Sequence, residues 1–426
     1  MHHLKIADRA GRTLWMLLLL ALASAAPVWA QRASLPGVAP RAKFEPSGNG
    51  VIQGASLPGT WDDNTLKTQL HQYQSLSGKR AALVTWFASL YEKGRTTSWR
   101  SNYAPDLARV KRLGAVSLIK FSVQDCAYEQ TRRMADLRQI ARGGYDAYFE
   151  EAADVVRAFG SPVFISINHE MNGNWFAYSE AYPRSGVTAD DYIASWRHIV
   201  NIFRRRGAGN AAFVWSPNVP DVGPVSFRRY YPGDDYVDWV GISFYSGNPI
   251  DNIDTVYGAY AERKPIFVTE WATSTTQNKF HLAMRSEAQW VGDFFRALDT
   301  RYPRIKAISW FQWNKGDGNC LLQRLPQQQQ AYAAGIRQAR YLDSATELLQ
   351  PRVAAPPIRM AVLPSQVMAP PVAVNPLWVN PVAPRTVAPR EAAPAPRLAV
   401  LAARDGSFDR RRINLRIVSA TRAYRR

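Results

Sequence analysis

The chain has 426 residues, 46% hydrophobic and 12% aromatic with 14 tryptophans, enough for a large packed core with aromatics to spare for a binding surface. This excludes a disordered or fibrous polypeptide, and two cysteines are too few for a metal framework. The formal charge of +19 raises a nucleic-acid reading, but about half of it lies beyond Pro351, without the interleaving of aromatics and cations that a nucleic-acid surface needs.

Lys5, Arg9 and Arg12 give a basic start, Leu14 to Ala25 is an apolar run short for a bilayer span, and Val28-Trp29-Ala30 has the small residues that a signal peptidase reads. Residues 1–30 are therefore expected to be a signal peptide. The mature protein is expected to be soluble, secreted or periplasmic, without a transmembrane segment. Residues 31–50, rich in Pro, Gly and Ala, read as a linker. Cys126 and Cys320 fit an oxidising compartment without demanding a disulfide.

Short apolar segments of strand length then recur: Val51 to Ser56, Ala81 to Phe87, Ala115 to Val123, Pro162 to Ile167, Ala211 to Trp215, Trp239 to Phe244, Pro265 to Thr269 and Ile305 to Trp310. Between them run stretches of helical period. "YDAYFEEAADVVRAFG" sets Tyr148, Ala152, Val155, Val156 and Phe159 on one stripe and stops at Gly160. "DYIASWRHIVNIFRRRG" does the same with Ile193, Trp196, Ile199, Val200 and Phe203, and "SEAQWVGDFFRALDTRYP" is a third. Strands alternating with helices imply parallel pairing, and about eight such units match a (β/α)8 TIM barrel over residues 51–345. A doubly wound sheet is the alternative, but no Gly-rich phosphate loop follows the first strand.

From Pro351 to Arg397 prolines come roughly every fourth residue among Ala, Val and Arg, a composition that cannot pack a core. Residues 346–426 therefore read as a disordered basic tail, suited to contact with an anionic envelope or exopolysaccharide. The chain is expected to be monomeric.

Two strand ends carry the chemistry. In "SPVFISINHE" a core-quality strand runs into Asn168, His169 and Glu170; taken alone, Glu170 fits a solvated loop carboxylate equally well. "KPIFVTEWAT" repeats the design with Glu270 and Trp271. Two carboxylates at strand ends, each followed by aromatics, are the equipment of a retaining glycosidase, and aromatics stack on the apolar faces of sugar rings.

"HEMNGNWFAYSE", "YIASWRHIVNIFRRRGAGNAAFVWSPN", "YYPGDDYVDWVGISFYS" and "KPIFVTEWAT" resemble, in order and spacing, the signatures of glycoside hydrolase family 26, over about Gly50 to Asn319. The resemblance implies a (β/α)8 retaining enzyme without a cofactor or metal. Its substrate would be a polysaccharide: β-1,4-mannan first, a mixed-linkage β-1,3-1,4-glucan or the producing bacterium's exopolysaccharide next, β-1,3-xylan being another substrate of the family. It makes Glu170 the acid/base, Glu270 the nucleophile and His169 a residue at the substrate, its other role being support of Glu170. Trp175 and Tyr178 would border the cleft, Tyr245 would hydrogen-bond and orient the nucleophile, and Trp271 would sit at the substrate. Trp310 or Trp313 would floor the cleft, unless either is core. A glycan-binding protein without turnover and a nucleic-acid binder are the competing classes; the paired glutamates speak against both.

Overall fold

The protein is described by a computed structural model covering residues 42–349, apart from residues 60–61, 126–132, 184, 275–285 and 316–317. The expected signal peptide, Cys126 and the tail beyond residue 349 lie outside the described residues.

Eight parallel strands form one sheet: β1 (Val51–Ser56), β2 (Leu83–Ser89), β3 (Val116–Ser122), β4 (Val163–Ile167), β5 (Ala211–Trp215), β6 (Trp239–Tyr245), β7 (Ile266–Ala272) and β8 (Ile305–Phe311). β8 returns to pair with β1, with Ile52 opposite Ala307 and Ser56 opposite Phe311, so the barrel closes. The eight segments read from the sequence are these eight strands.

The crossovers carry α1 (Asp63–Ser77), α2 (Ala104–Arg112), α3 (Asp146–Phe159), α4 (Ala189–Arg205), α5 (Asp254–Tyr260) and α6 (Glu287–Thr300), and α7 (Pro326–Ile336) follows β8. Between β5 and β6 two 3-10 turns, Phe227–Tyr230 and Asp234–Tyr236, stand in place of a helix. Local chemistry sets the ends. Asp62 accepts from the Thr65 amide to start α1, Thr188 and Asp191 form a capping box on α4, and α3 stops at Gly160, whose φ of 69° is left-handed. Among the described residues no helix is long and apolar enough to cross a membrane.

Strand parity divides the barrel lumen into an apolar floor and a polar mouth. Ile52, Leu83, Leu118, Phe164, Val214, Trp239 and Phe267 pack together towards the N-terminal ends of the strands. Ala42 and Phe44 close that end from one side, and Ala345 and Leu348 from the other. Phe44 sets its ring edge-on to Phe164 at 5.9 Å, the Trp239 indole donates to the Lys43 carbonyl at 2.7 Å, and Arg304 pairs with buried Glu45. Residues 42–50 are thus part of the domain rather than linker, and packing continues past residue 345 to Leu348.

Towards the C-terminal ends the lumen turns polar, with Thr85 bonded to Ser309 (2.8 Å) and Ser216 to Thr269 (2.7 Å). Gly241 fits here because a Cβ would lie 2.7 Å from that of Ser216. Against β6 the register of β7 slips: Ile242 faces Val268, but the next residue, Ser243, faces Glu270. This bulge lets both Thr269 and Glu270 reach lumen partners, while Trp271 passes to the outer face.

Candidate active site

Glu170 stands three residues beyond β4. Asn168 (φ 48°) and Glu170 (φ 56°) are both left-handed, a conformation that costs a glutamate about 1–3 kcal/mol and persists only where its surroundings impose it. Backbone bonds impose it: the Asn168 amide donates to the Phe121 carbonyl (2.8 Å), and the Glu170 amide to the Ser216 carbonyl (2.7 Å). The Asn168 side chain accepts from the Val123 amide, and Asn172 ties the loop to Asn218 and Asp221. The turn is thereby anchored to the strand ends on both sides.

The nearly buried Glu170 accepts from the Trp175 indole N–H at Oε2, 2.9 Å, and from the Ser243 hydroxyl. Burial raises its pKa above the usual carboxylate range, and the charge of Glu270 adds to this; Lys120, Ser243 and Lys315 pull the other way.

Glu270 has different neighbours. Lys120, on β3 and wholly buried, places Nζ 2.6 Å from Oε1, and the Tyr245 hydroxyl donates to Oε2 at 2.6 Å. Burial, then the charges of Glu270 and Glu170, push the Tyr245 phenol well above its ordinary value, so it remains a donor.

His169 is buried and held well below its ordinary pKa, by burial and then by Lys120 and Lys315. Its ring lies 5.8 Å from Phe87 and 5.1 Å from Phe176, and its Nδ1 has no hydrogen-bond partner among the described residues. The imidazole is thereby held neutral beside the cleft aromatics, with Nδ1 buried.

At the mouth, Phe87 and Trp175 are 36% and 37% exposed. Trp313 stacks on Phe311 (5.8 Å, 12°) and meets Phe87 edge-on. Three residues expected at the substrate are elsewhere. Trp271 and Trp310 are fully buried on the outer face of the barrel, Trp271 stacked 3.9 Å from Phe294 of α6 and both packed on Tyr332 of α7. Strand parity is the reason: the lumen-facing Glu270 and Ser309 force their successors outward. Tyr178 is also fully buried, stacked on Phe176 with its hydroxyl donated to the His169 carbonyl (2.8 Å), so it supports the turn from behind. Trp313 is the tryptophan beside the cleft. Lys120 had a signal in the sequence, a lone charge inside the apolar run "AVSLIKFSV".

Among the described residues no three His, Cys, Asp or Glu side chains are gathered to hold a metal. The sequence model for glycosyl hydrolase family 26 matches residues 125–305.

These residues resemble glycosyl hydrolase family 26.

The chain is 33% identical over 189 residues to a protein named Endoglucanase H from Acetivibrio thermocellus, covering 41% of this chain and 20% of that one. Over 142 residues it is 30% identical to β-1,3-xylanase TXYA of a Vibrio species, covering 32% of this chain and 28% of that one. The chain thus spans under a third of the length of these curated relatives. Among solved structures, a β-mannanase from a symbiotic protist of the termite Reticulitermes speratus matches with a TM-score of 0.52 at 16% identity, covering 73% of this chain and 98% of that one. That likeness is one of fold.

Proposed function

We propose that this chain is a family 26 enzyme, an exported retaining endo-β-glycanase that hydrolyses β-1,4-mannan by double displacement. The observation that carries the reading is the asymmetry of its two buried carboxylates. Glu170 is raised in pKa and touched by a single indole N–H and a hydroxyl, the setting of a proton donor. Glu270 is gripped at both oxygens, by an ammonium and a phenol, the setting of an aimed nucleophile.

Glu270 attacks the anomeric carbon while the glycosidic C–O bond breaks, its electron pair going to the leaving oxygen, which takes the Glu170 proton. Water then gives its proton to Glu170 and its oxygen to the anomeric carbon, releasing Glu270 with retention. Trp175, Phe87 and Trp313 supply apolar faces for sugar rings, and His169 lies beside Phe87 at the substrate.

A mixed-linkage β-1,3-1,4-glucan is the second reading, favoured by the 33% identity to Endoglucanase H. Incubation with mannan, barley glucan, β-1,3-xylan and the host's exopolysaccharide, with the anomer of the first product followed by NMR, tests both. Glu270→Ala is expected to lose nearly all activity on every substrate. Glu170→Ala keeps some on an aryl glycoside, whose leaving group needs little protonation. Inverted product, or equal residual rates for the two variants on the aryl glycoside, would refute the assignment.

A further inference from the structure

Lys120 is the one charged side chain on β3, and it is buried without solvent contact inside the barrel. A lysine in such a place costs several kcal/mol unless matched by an anion. It is matched by Glu270 Oε1 at 2.6 Å, with the Ser243 hydroxyl 3.5 Å away. Ser243 is also a hydrogen-bond partner of Glu170. Side-chain interactions therefore link Trp175 to Glu170, Glu170 to Ser243, and Lys120 to Ser243 and to Glu270, which also holds Tyr245.

We infer that Lys120 is a positioning residue for both halves of the reaction, serving as the counter-charge of Glu270 in the free enzyme and, through Ser243, of Glu170 in the glycosyl-enzyme. This rests on the glycanase reading, and it follows from counting charge along that chain. Before reaction, Glu270 is a carboxylate, Glu170 a neutral acid and Lys120 an ammonium, so the three sum to zero. When Glu270 becomes a glycosyl ester it loses its charge, and the proton that left on the aglycone has made Glu170 a carboxylate. The three again sum to zero. A single buried cation faces one anion at each stage, and no net charge appears in the lumen during the reaction.

The geometry suits the exchange. Nζ touches Glu270 and faces the Ser243 hydroxyl, and Ser243 can donate to Glu170 while its oxygen faces the ammonium. Among the described residues the charged and titratable groups around Lys120 are Glu270 on β7, Tyr245 on β6, His169 and Glu170 after β4, and Lys315 after β8. Of these only the two glutamates can be its anion.

The test is Lys120→Met, which keeps the stem and removes the charge. On an aryl β-glycoside its kcat is expected to fall about 100-fold, comparable to removing one preorganised electrostatic partner, with KM within about threefold of wild type. The alkaline limb of kcat/KM moves to higher pH, because the lysine no longer draws the proton from Glu170. Rapid-quench intact mass spectrometry should show accumulated glycosyl-enzyme, since deglycosylation loses the counter-charge of its base. Two controls isolate the inference: wild type must hydrolyse the glycoside and Glu270→Ala must not. If either control fails, the glycanase reading falls and this one with it. If both pass and Lys120→Met stays within about threefold of wild type with an unmoved limb, the role of Lys120 alone is overturned. Should Lys120→Met not fold, Ser243→Ala keeps the Lys120–Glu270 pair and removes the bridge. It too should move the alkaline limb upward, and an unmoved limb rules the bridge out.

Discussion

Trp175 donates its indole N–H to Glu170 Oε2 at 2.9 Å while over a third of the side chain faces the cleft, so one residue serves the carboxylate and offers a surface to a sugar. Trp175→Phe keeps the apolar face and removes the donor, and is expected to lower kcat about tenfold with little change in KM, the scale of one hydrogen bond to a charged group. Trp175→Ala removes both and should raise KM as well. Equal KM values for the two variants would show that the ring face does not bind substrate.

Tyr245 has its hydroxyl on Glu270 Oε2 at 2.6 Å. Tyr245→Phe should lower turnover about 10- to 100-fold with an unchanged melting temperature. Wild-type turnover would make the contact incidental.

Glu170 gives a pH dependence of stability. Its folded pKa is raised, so the folded protein holds the proton more tightly than the unfolded chain does. Below the unfolded value of about 4.3 both states are protonated. As pH rises through that value towards the folded pKa, the unfolded chain releases its proton first and stability is lost. Glu170→Gln does not titrate. Its melting temperature should match wild type near pH 4 and exceed it by a widening margin on approach to neutrality, as followed by calorimetry at several pH values. A margin that narrows with rising pH would contradict the environment described for Glu170.

Trp271 separates core from cleft. Buried against Phe294, Trp290 and Trp310, it should cost about 3–5 kcal/mol on replacement by alanine. Denaturant unfolding measures this directly. A sugar platform would instead show a raised KM with normal stability.

Residues beyond 350 should be dispensable for folding, because Ala345 and Leu348 already close the floor of the barrel. Truncation after Gln350 is expected to leave the melting temperature and the rate on soluble substrate unchanged, while salt-sensitive retention on acidic polysaccharide declines.

Much of this was legible in the sequence because the barrel repeats. Apolar runs punctuated by turn residues located all eight strands, and two runs ending in glutamate located the mouth. Parity was equally available and would have placed Trp271 and Trp310 outside, since neighbours on a strand face opposite ways. What the sequence could not show was the slip between Val268 and Glu270 that gives Thr269 and Glu270 partners in the same lumen. Nor could it show that Phe44 and Glu45 belong to the floor, because their partners Phe164 and Arg304 lie more than a hundred positions along the chain. Lys120 was visible only as an anomaly, a cation where a leucine would be ordinary.

The bulge in β7 makes reactivity and architecture share one reading frame. Without the slip, strict alternation after the lumen-facing Thr269 would turn Glu270 out among the aromatics of α6 and bring the Trp271 indole into the polar lumen. Lys120 and Tyr245 would lose their acceptor and the outer shell its tryptophan in the same event. Changes that abolish the bulge while keeping Thr269 should therefore yield no folded but silent enzyme, whereas point substitution of Glu270 should.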